Sequence, residues 1–177
     1  MFLINLLKIK IIFKKPSKNK ILLYDGVSIN HMNLLTKKFS VFYNRYEEIN
    51  LYVLFHTILK NGFKEIKKNY KINFFKFVSP QLIITFIDSN LSFYNLKNLY
   101  KDSKYMSVEC LTKVDSFYNR LKNKANKKIF SDYKFFLGRN SLNNSKKYFK
   151  GKFIINGSIY NNKFYIKKKN KIIEKKN

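Results

Sequence analysis

Short apolar runs alternate with segments of helical pattern along this chain, and this alternation restricts its fold more than any other feature. The clearest run follows Pro80 and reads LIITFID at 82–88, which suits a strand buried on both faces. The other runs are KILLY at 20–24, FSVFYN at 39–44, KYMSVECL at 104–111, DYKFFLG at 132–138 and GKFIINGS at 151–158. Short strands separated by helices predict an α/β fold: a Rossmann-like parallel sheet with helices on both faces, in a single domain.

The segments between these runs carry helix signals. They are INHMNLLTKK at 29–38 after Ser28 as N-cap, the stretch 47–62, the basic stretch 63–78, and shorter helices near 91–100, 114–128 and 140–150. The 47–62 segment has the strongest signal, because Glu47 and Glu48 suit a first turn and Gly62 suits a helix end. It is apolar around most of its circumference, so we expect it in the interior with His56 as a core histidine.

Polar residues follow several of the predicted strands. Because ligands of open parallel sheets bind beyond the carboxyl ends of the strands, these residues are candidate substrate-binding groups. The candidates are Asp25, Gly26, Asp88, Ser89, Asn90 and Glu109. The three carboxylates could serve as general bases, but no paired carboxylates occur at fixed spacing, so no catalytic residue is assigned. An alternative for Asp88 is the N-cap of the helix that follows it.

Motifs for cofactors and metals are missing from the sequence. The turn DGVSIN after the first strand lacks both glycine-rich phosphate-binding patterns, which disfavours a dinucleotide or nucleoside-triphosphate site. Cys110 is the only cysteine, so an internal disulfide is excluded, and His31 and His56 are too isolated to form a metal cluster with it. We therefore expect no cofactor and no metal.

The charge balance is strongly basic, with 37 Lys and Arg against 10 Asp and Glu and a formal net charge of +27. Such an excess suits polyanions, either nucleic acid or an anionic membrane surface. Arginine, which grips phosphates and bases bidentately, occurs only as Arg45, Arg120 and Arg139. Codon bias in an AT-rich genome would also produce this richness in Lys, Asn, Ile, Phe and Tyr. Charge alone therefore does not identify a partner.

Composition divides the chain into three parts: an apolar and basic segment at 1–19, the Rossmann-like domain at 20–162, and a lysine-rich linker or tail at 163–177. The opening MFLINLLKIKIIF is interrupted by Lys8 and Lys10 and is too short to span a bilayer. It suits either an amphipathic segment on an anionic membrane surface or a first helix packed on the core. We expect a cytoplasmic protein, either free or peripheral at the inner face of the membrane.

Several segments, in order, resemble a known family. They are ILLYDG, FYNRYEEINLYVLFHTILKNG, FVSPQLIITFIDSNLSFYNLK, KYMSVE, SDYKFFLG and KYFKGKFIINGSIYNNKF, which together span about Lys20 to Phe164. This ordered set resembles the N-terminal half of bacterial surface carbohydrate (polysaccharide) biosynthesis proteins. The resemblance implies a glycosyltransferase B architecture, in which two Rossmann-like domains face a cleft, the first mainly for the acceptor and the second mainly for the activated sugar. One departure is Glu109, Cys110 and Leu111, where the family typically has a Gln-Asn-Gly turn.

Only the first of those two domains matches this sequence, so the resemblance implies no autonomous sugar transfer. The chain is then a fragment, a degenerate copy or one half of a split enzyme. The implied partners are a second glycosyltransferase-like domain or chain and a sugar or lipid-linked acceptor. The competing class is a basic nucleic-acid-binding protein, such as an organellar ribosomal protein from an AT-rich genome. Against that class, the aromatic residues cluster within apolar runs and do not interleave with lysines.

Overall fold

The computed structural model describes residues 9–45, 47–111, 113, 115–124 and 129–159. The tail predicted at 163–177 lies outside the described residues, and so do the first eight residues of the predicted N-terminal segment.

The strands of the described residues form two sheets. They are β1 (Lys10–Ile12), β2 (Ile21–Tyr24), β3 (Ser40–Phe42), β4 (Glu48–Asn50), β5 (Leu82–Thr85), β6 (Lys104–Val108), β7 (Ile129–Phe136) and β8 (Phe149–Ile155). The main sheet has six strands in the order β3-β2-β5-β6-β7-β8, and every neighbouring pair is parallel. β1 and β4 form a separate parallel pair. The predicted parallel α/β sheet is confirmed, with 82–85 as a central strand.

Helices cover both faces of the main sheet. A 3-10 turn at Gly26–Ser28 leads into α1 (Ile29–Met32), followed by α2 (Leu51–Asn61), α3 (Ile66–Val78), α4 (Leu91–Tyr94), α5 (Leu96–Leu99), α6 (Asp115–Lys124) and α7 (Arg139–Ser145). Side chains alternate across each strand, so Leu22 and Ile83 join the larger core cluster while Leu23 and Ile84 join the smaller one. Helices α2 to α6 contribute to the larger cluster, and Met32 of α1 belongs to the smaller.

The strand order places a reversal of direction between β2 and β5. The chain proceeds from β2 outward to β3, then crosses back to β5 and continues through β6, β7 and β8 on the other side of β2. This is the flavodoxin-like arrangement with one further strand, and its loops after β2 and β5 flank the topological switch point. The carboxyl ends of these two strands are therefore where the fold itself favours a ligand crevice.

The segment 47–62 differs from the prediction. Glu48 lies in β4, where its carboxylate is 3.3 Å from Lys10 Nζ, so the two glutamates do not occupy a first helical turn. Helix α2 begins at Leu51 because Asn50 is its N-cap, with Oδ1 accepting from the Val53 N–H at 3.2 Å. Strand pairing between residues 48–50 and the distant residues 10–12 outweighs the local helix signal at 47–50. The same pairing makes 10–12 a strand instead of part of a first helix.

The predicted interior position of this helix is also wrong. Only Val53 and Thr57 are buried in α2, whereas Phe55 is 53% exposed and Leu59 is 87% exposed. His56 is exposed too, with its ring edge-on to Phe77 at 5.0 Å, so it is not a core histidine. The helix packs mainly on α3, with Tyr52 against the core, while Phe55 and Leu59 face outward.

Smaller differences concern helix ends. Ser28 makes no capping hydrogen bond through its side chain, and α1 ends at Met32, well before the predicted end at 38. Asp25 instead caps the 3-10 turn by accepting from the Val27 N–H. The helix predicted near 91–100 is divided into α4 and α5. None of the described helices is long and apolar enough to cross a membrane.

Candidate functional site

All of the predicted site residues lie at the carboxyl edge of the main sheet. Asp25 follows β2, Asp88 lies three residues beyond β5, and Glu109 follows β6 directly. Because the strands are parallel, their carboxyl ends share one edge. These carboxylates are almost fully buried, with 1%, 2% and 1% of their surfaces exposed. Among the described residues, no hydrogen bond joins any two of them, and each has its own set of partners.

Asp88 has the most strongly charged surroundings. Its Oδ2 lies 3.1 Å from Lys134 Nζ, and its Oδ1 accepts from Lys113 Nζ. The Tyr94 hydroxyl donates to the Asp88 carbonyl oxygen at 2.8 Å, and Lys134 Nζ lies 3.2 Å from the same hydroxyl. All three charged side chains are less than a tenth exposed. The cluster therefore holds two ammonium groups against one carboxylate, which leaves an excess of one positive charge under the surface.

Lys134 is held in this cluster by aromatic rings as well as by Asp88. Its Nζ lies over the Phe149 ring at 4.5 Å and near the Phe136 ring at 5.2 Å. Burial works against its charged form, but the neighbouring Tyr94 and Asp88 outweigh burial, so the pKa of Lys134 is raised. Lys134 thus stays a cation in the sheet interior.

Asn90, and not Asp88, caps the helix after β5. Asn90 Oδ1 accepts from the Ser92 N–H at 3.1 Å and from the Ser92 hydroxyl at 2.7 Å. The alternative that Asp88 is the helix N-cap is therefore wrong. Ser89 and Asn90 are both half-buried at this edge.

Asp25 and Gly26 form a tightly constrained loop after β2. Asp25 adopts a positive φ of 103°, unusual for a residue with a side chain, and its Oδ2 lies 3.2 Å from Arg45 Nε without hydrogen-bond geometry. Gly26 is covered by the Tyr43 ring, because a Cβ at Gly26 would come within 2.3 Å of that ring. Only glycine allows this approach, so the loop is fixed by packing and by charge together.

Glu109 joins the ends of two strands to α7. Its Oε2 accepts from the Leu137 N–H at 3.1 Å and from the Ser141 hydroxyl. The adjacent Cys110 is half-buried, and burial, followed by the Asp88 charge, raises the pKa of its thiol to about 11. Through its contacts with Leu137 and Ser141, the buried Glu109 carboxylate holds the loop after β6 in place.

Sequence reasoning missed the two lysines that neutralise Asp88. Lys134 did carry a signal, because a lysine in the middle of the apolar run DYKFFLG must find a buried partner or leave the sheet. Lys113 carried none, since it lies in a loop of a chain rich in lysine. Among the described residues, no three of His, Cys, Asp and Glu come close enough to hold a metal ion.

Fold and site together define a parallel α/β domain with a flavodoxin-like strand order and a polar, partly charged carboxyl edge. Comparisons with protein-family models, with curated proteins and with solved structures found no match. The substrate-binding role of the edge residues stays a prediction.

Proposed function

We propose that this chain is the acceptor-side, Rossmann-like domain of a surface-polysaccharide glycosyltransferase system and depends on a second domain for sugar transfer. The observation that supports it is the switch point between β2 and β5, flanked by loops with polar side chains. The ordered segments that resemble surface carbohydrate biosynthesis proteins agree with this topology.

In this proposal the edge residues have two roles. Asp25, Asp88 and Glu109 are engaged by cations, N–H groups and hydroxyls of the protein, so they hold the loops in position. Ser89 and Asn90 are half-buried at the switch point and have a hydroxyl and an amide to offer. In this proposal they bind acceptor hydroxyl groups, while the activated sugar is held by the second domain.

Isothermal titration calorimetry at about 0.3 M salt, where attraction between exposed charges is screened, tests this division. The purified chain is expected to bind nucleotide sugars no better than about millimolar, or roughly 4 kcal/mol. In the presence of a candidate second-domain chain, nucleotide sugars should bind tightly. Micromolar affinity of the chain alone, weakened by Ser89→Ala, would contradict the proposed dependence.

The proposal includes a peripheral position at the inner face of a membrane, supported by an exposed apolar surface. This outer face consists of Ile11, Phe13, Phe55, Leu59 and Phe63, which are between 53% and 87% exposed. The rings of Phe13 and Phe55 lie 6.2 Å apart, and Leu59 follows Phe55 by one helical turn. Exposed lysines of the same segments, Lys14, Lys60 and Lys64, adjoin it in sequence. Apolar side chains bordered by lysines suit an anionic bilayer.

Co-sedimentation with vesicles of phosphatidylcholine and phosphatidylserine tests this position. Each lysine near an anionic surface contributes about 1 kcal/mol at low salt, and the apolar side chains add to that. The double variant Phe55→Ser and Leu59→Ser should lose binding while remaining folded. A control, Lys76→Ser, lies in α3 outside the outer face and should bind like wild type. Tight RNA binding at physiological salt, with no vesicle binding, would instead favour the nucleic-acid class.

A further inference from the structure

A cavity of about 310 Å³ lies between α3 and the end of β3. Its walls are Phe42, Asn44, Lys67, Lys68, Tyr70, Lys71 and Leu99. The volume is at the lower end of the range of small-molecule sites, which is about 300 to 1,000 Å³. Apolar side chains line one part of this cavity, and three lysines of α3 contribute the other part.

Lys71 is the central cation of this cavity. Its Nζ lies 2.8 Å from the Tyr24 hydroxyl and 3.3 Å from Asn44 Oδ1, and it lies over the rings of Tyr24 and Phe42. In the described part of the chain, no carboxylate is within ion-pair distance of it. Burial lowers the pKa of Lys71. A partly buried cation with neutral partners alone is unfavourable unless an anion compensates it.

The hydrogen-bonding capacity of Lys71 also indicates that this ammonium group can bind an anionic ligand. An ammonium group has three N–H donors, and the contacts to Tyr24 and Asn44 account for two. The Tyr24 hydroxyl and Asn44 Oδ1 are themselves 2.6 Å apart, so these groups form a fixed frame around the nitrogen. One donor remains for a ligand in the cavity.

Lys67 and Lys68 place two more positive charges beside the same cavity. They precede Lys71 by four and three positions, so the side chains are neighbours on the helix, and like charges at these spacings are destabilising. Both lie in the first turn of α3, where the helix dipole disfavours cations. Lys68 is paired with Glu65 at 2.7 Å. Three lysines therefore lie close together near the start of α3, where they destabilise the helix.

We propose that this cavity binds a small organic phosphate, whose phosphate group contacts Lys71 and Lys67 and whose organic part packs against Phe42, Tyr70 and Leu99. A dianionic phosphate matches more than one ammonium group, whereas a single carboxylate does not. The apolar walls distinguish a phosphate ester from inorganic phosphate. The cations of this site come from α3, whereas the proposed acceptor site uses Ser89 and Asn90 after β5, so the existence of the phosphate site does not depend on sugar transfer.

Calorimetric titration with phenyl phosphate and with inorganic phosphate at about 0.3 M salt tests the site. Phenyl phosphate should bind saturably and more tightly than inorganic phosphate. Lys71→Met should weaken the binding at least tenfold, equivalent to about 1.4 kcal/mol. The matched control is Lys76→Met, which removes one positive charge from the same helix outside the cavity and should leave affinity within about twofold.

Thermal unfolding provides the second readout. Phenyl phosphate should raise the Tm of wild type and of Lys76→Met but not that of Lys71→Met. If Lys71→Met does not fold, Lys67→Met is expected to show the same loss of affinity. Equal weakening by the cavity and control variants, or no saturation in wild type, would overturn the site. Equal affinity for both phosphates would overturn the apolar contact. Binding only to vesicles with phosphatidic acid, lost in Lys71→Met, would assign the phosphate to a lipid headgroup and overturn a small-molecule ligand.

Discussion

Replacing Asp88 with Asn should destabilise the protein more than replacing Lys134 with Met. The described ion pairs of Lys113 and Lys134 both end on Asp88, and the two lysine side chains are 9% and 2% exposed. Asp88→Asn keeps the shape of the side chain but leaves two adjacent buried cations without a counter-charge. Removing one partner of a buried ion pair costs about 3 to 5 kcal/mol.

Lys134→Met keeps an apolar stem beside Phe149 and leaves Asp88 paired with Lys113, so its expected cost is about 1.5 to 3 kcal/mol, that of a charged hydrogen bond. Urea unfolding at neutral pH gives both values. Asp102→Asn, which removes an equal charge from an exposed position, is the control and should change stability by about 0.5 kcal/mol or less. A cost of Lys134→Met equal to or above that of Asp88→Asn would refute this account of the cluster.

Two further predictions concern β8 and the β6 loop. Gly151→Ala should lower the Tm sharply, because φ at Gly151 is 139° and a Cβ there would come within 1.7 Å of the Ser131 carbonyl oxygen. The control is Gly138→Ala, which should leave the Tm unchanged because the space around Gly138 is open. Cys110 should react slowly with an aromatic disulfide reagent at pH 8 and faster as the pH approaches 11, because burial and then Asp88 raise its thiol pKa to about 11. A fast reaction at pH 8 would mean that the thiol is not shielded as described.

The central strands could be predicted because their signal is local. Residues 21–24 and 82–84 are continuously apolar, and a strand buried on both faces requires that pattern wherever it lies in the sheet. Parallel pairing then placed Asp25 and Asp88 at one edge without further information. The predicted strand at 82–88 extended beyond Thr85 because Phe86 and Ile87 continue the apolar run into the loop.

The errors arose where distant segments meet. The pairing of β1 with β4 converted the expected first helical turn into a strand, and nothing within 47–50 announces it. The apolar residues around most of α2 suggested burial, but a hydrophobic pattern does not show whether another element packs against each face. Phe55 and Leu59 are therefore exposed to solvent. Lys71 illustrates the same limit, because its partners Tyr24 and Asn44 lie 47 and 27 residues away in the sequence.

Alkaline pH should destabilise this protein through its buried tyrosines, and Tyr105 allows the sharpest measurement. Its hydroxyl donates to the Tyr100 carbonyl oxygen at 2.7 Å, and burial, followed by the neighbouring Tyr100 and Asp132, raises its pKa. Above about pH 10 the unfolded chain loses this proton and the folded chain keeps it. The stabilisation from this buried tyrosine is complete below that pH and falls by up to about 1.4 kcal/mol per pH unit above it.

Lys71 acts in the opposite direction, because its lowered pKa makes stability rise with pH. This contribution is the same in wild type and in Tyr105→Phe, so it cancels when the two are compared. Urea unfolding between about pH 8 and 11 should show Tyr105→Phe less stable at the lower pH and converging on wild type as the pH rises. Parallel curves would show that the phenol ionises as readily in the folded chain as in the unfolded one.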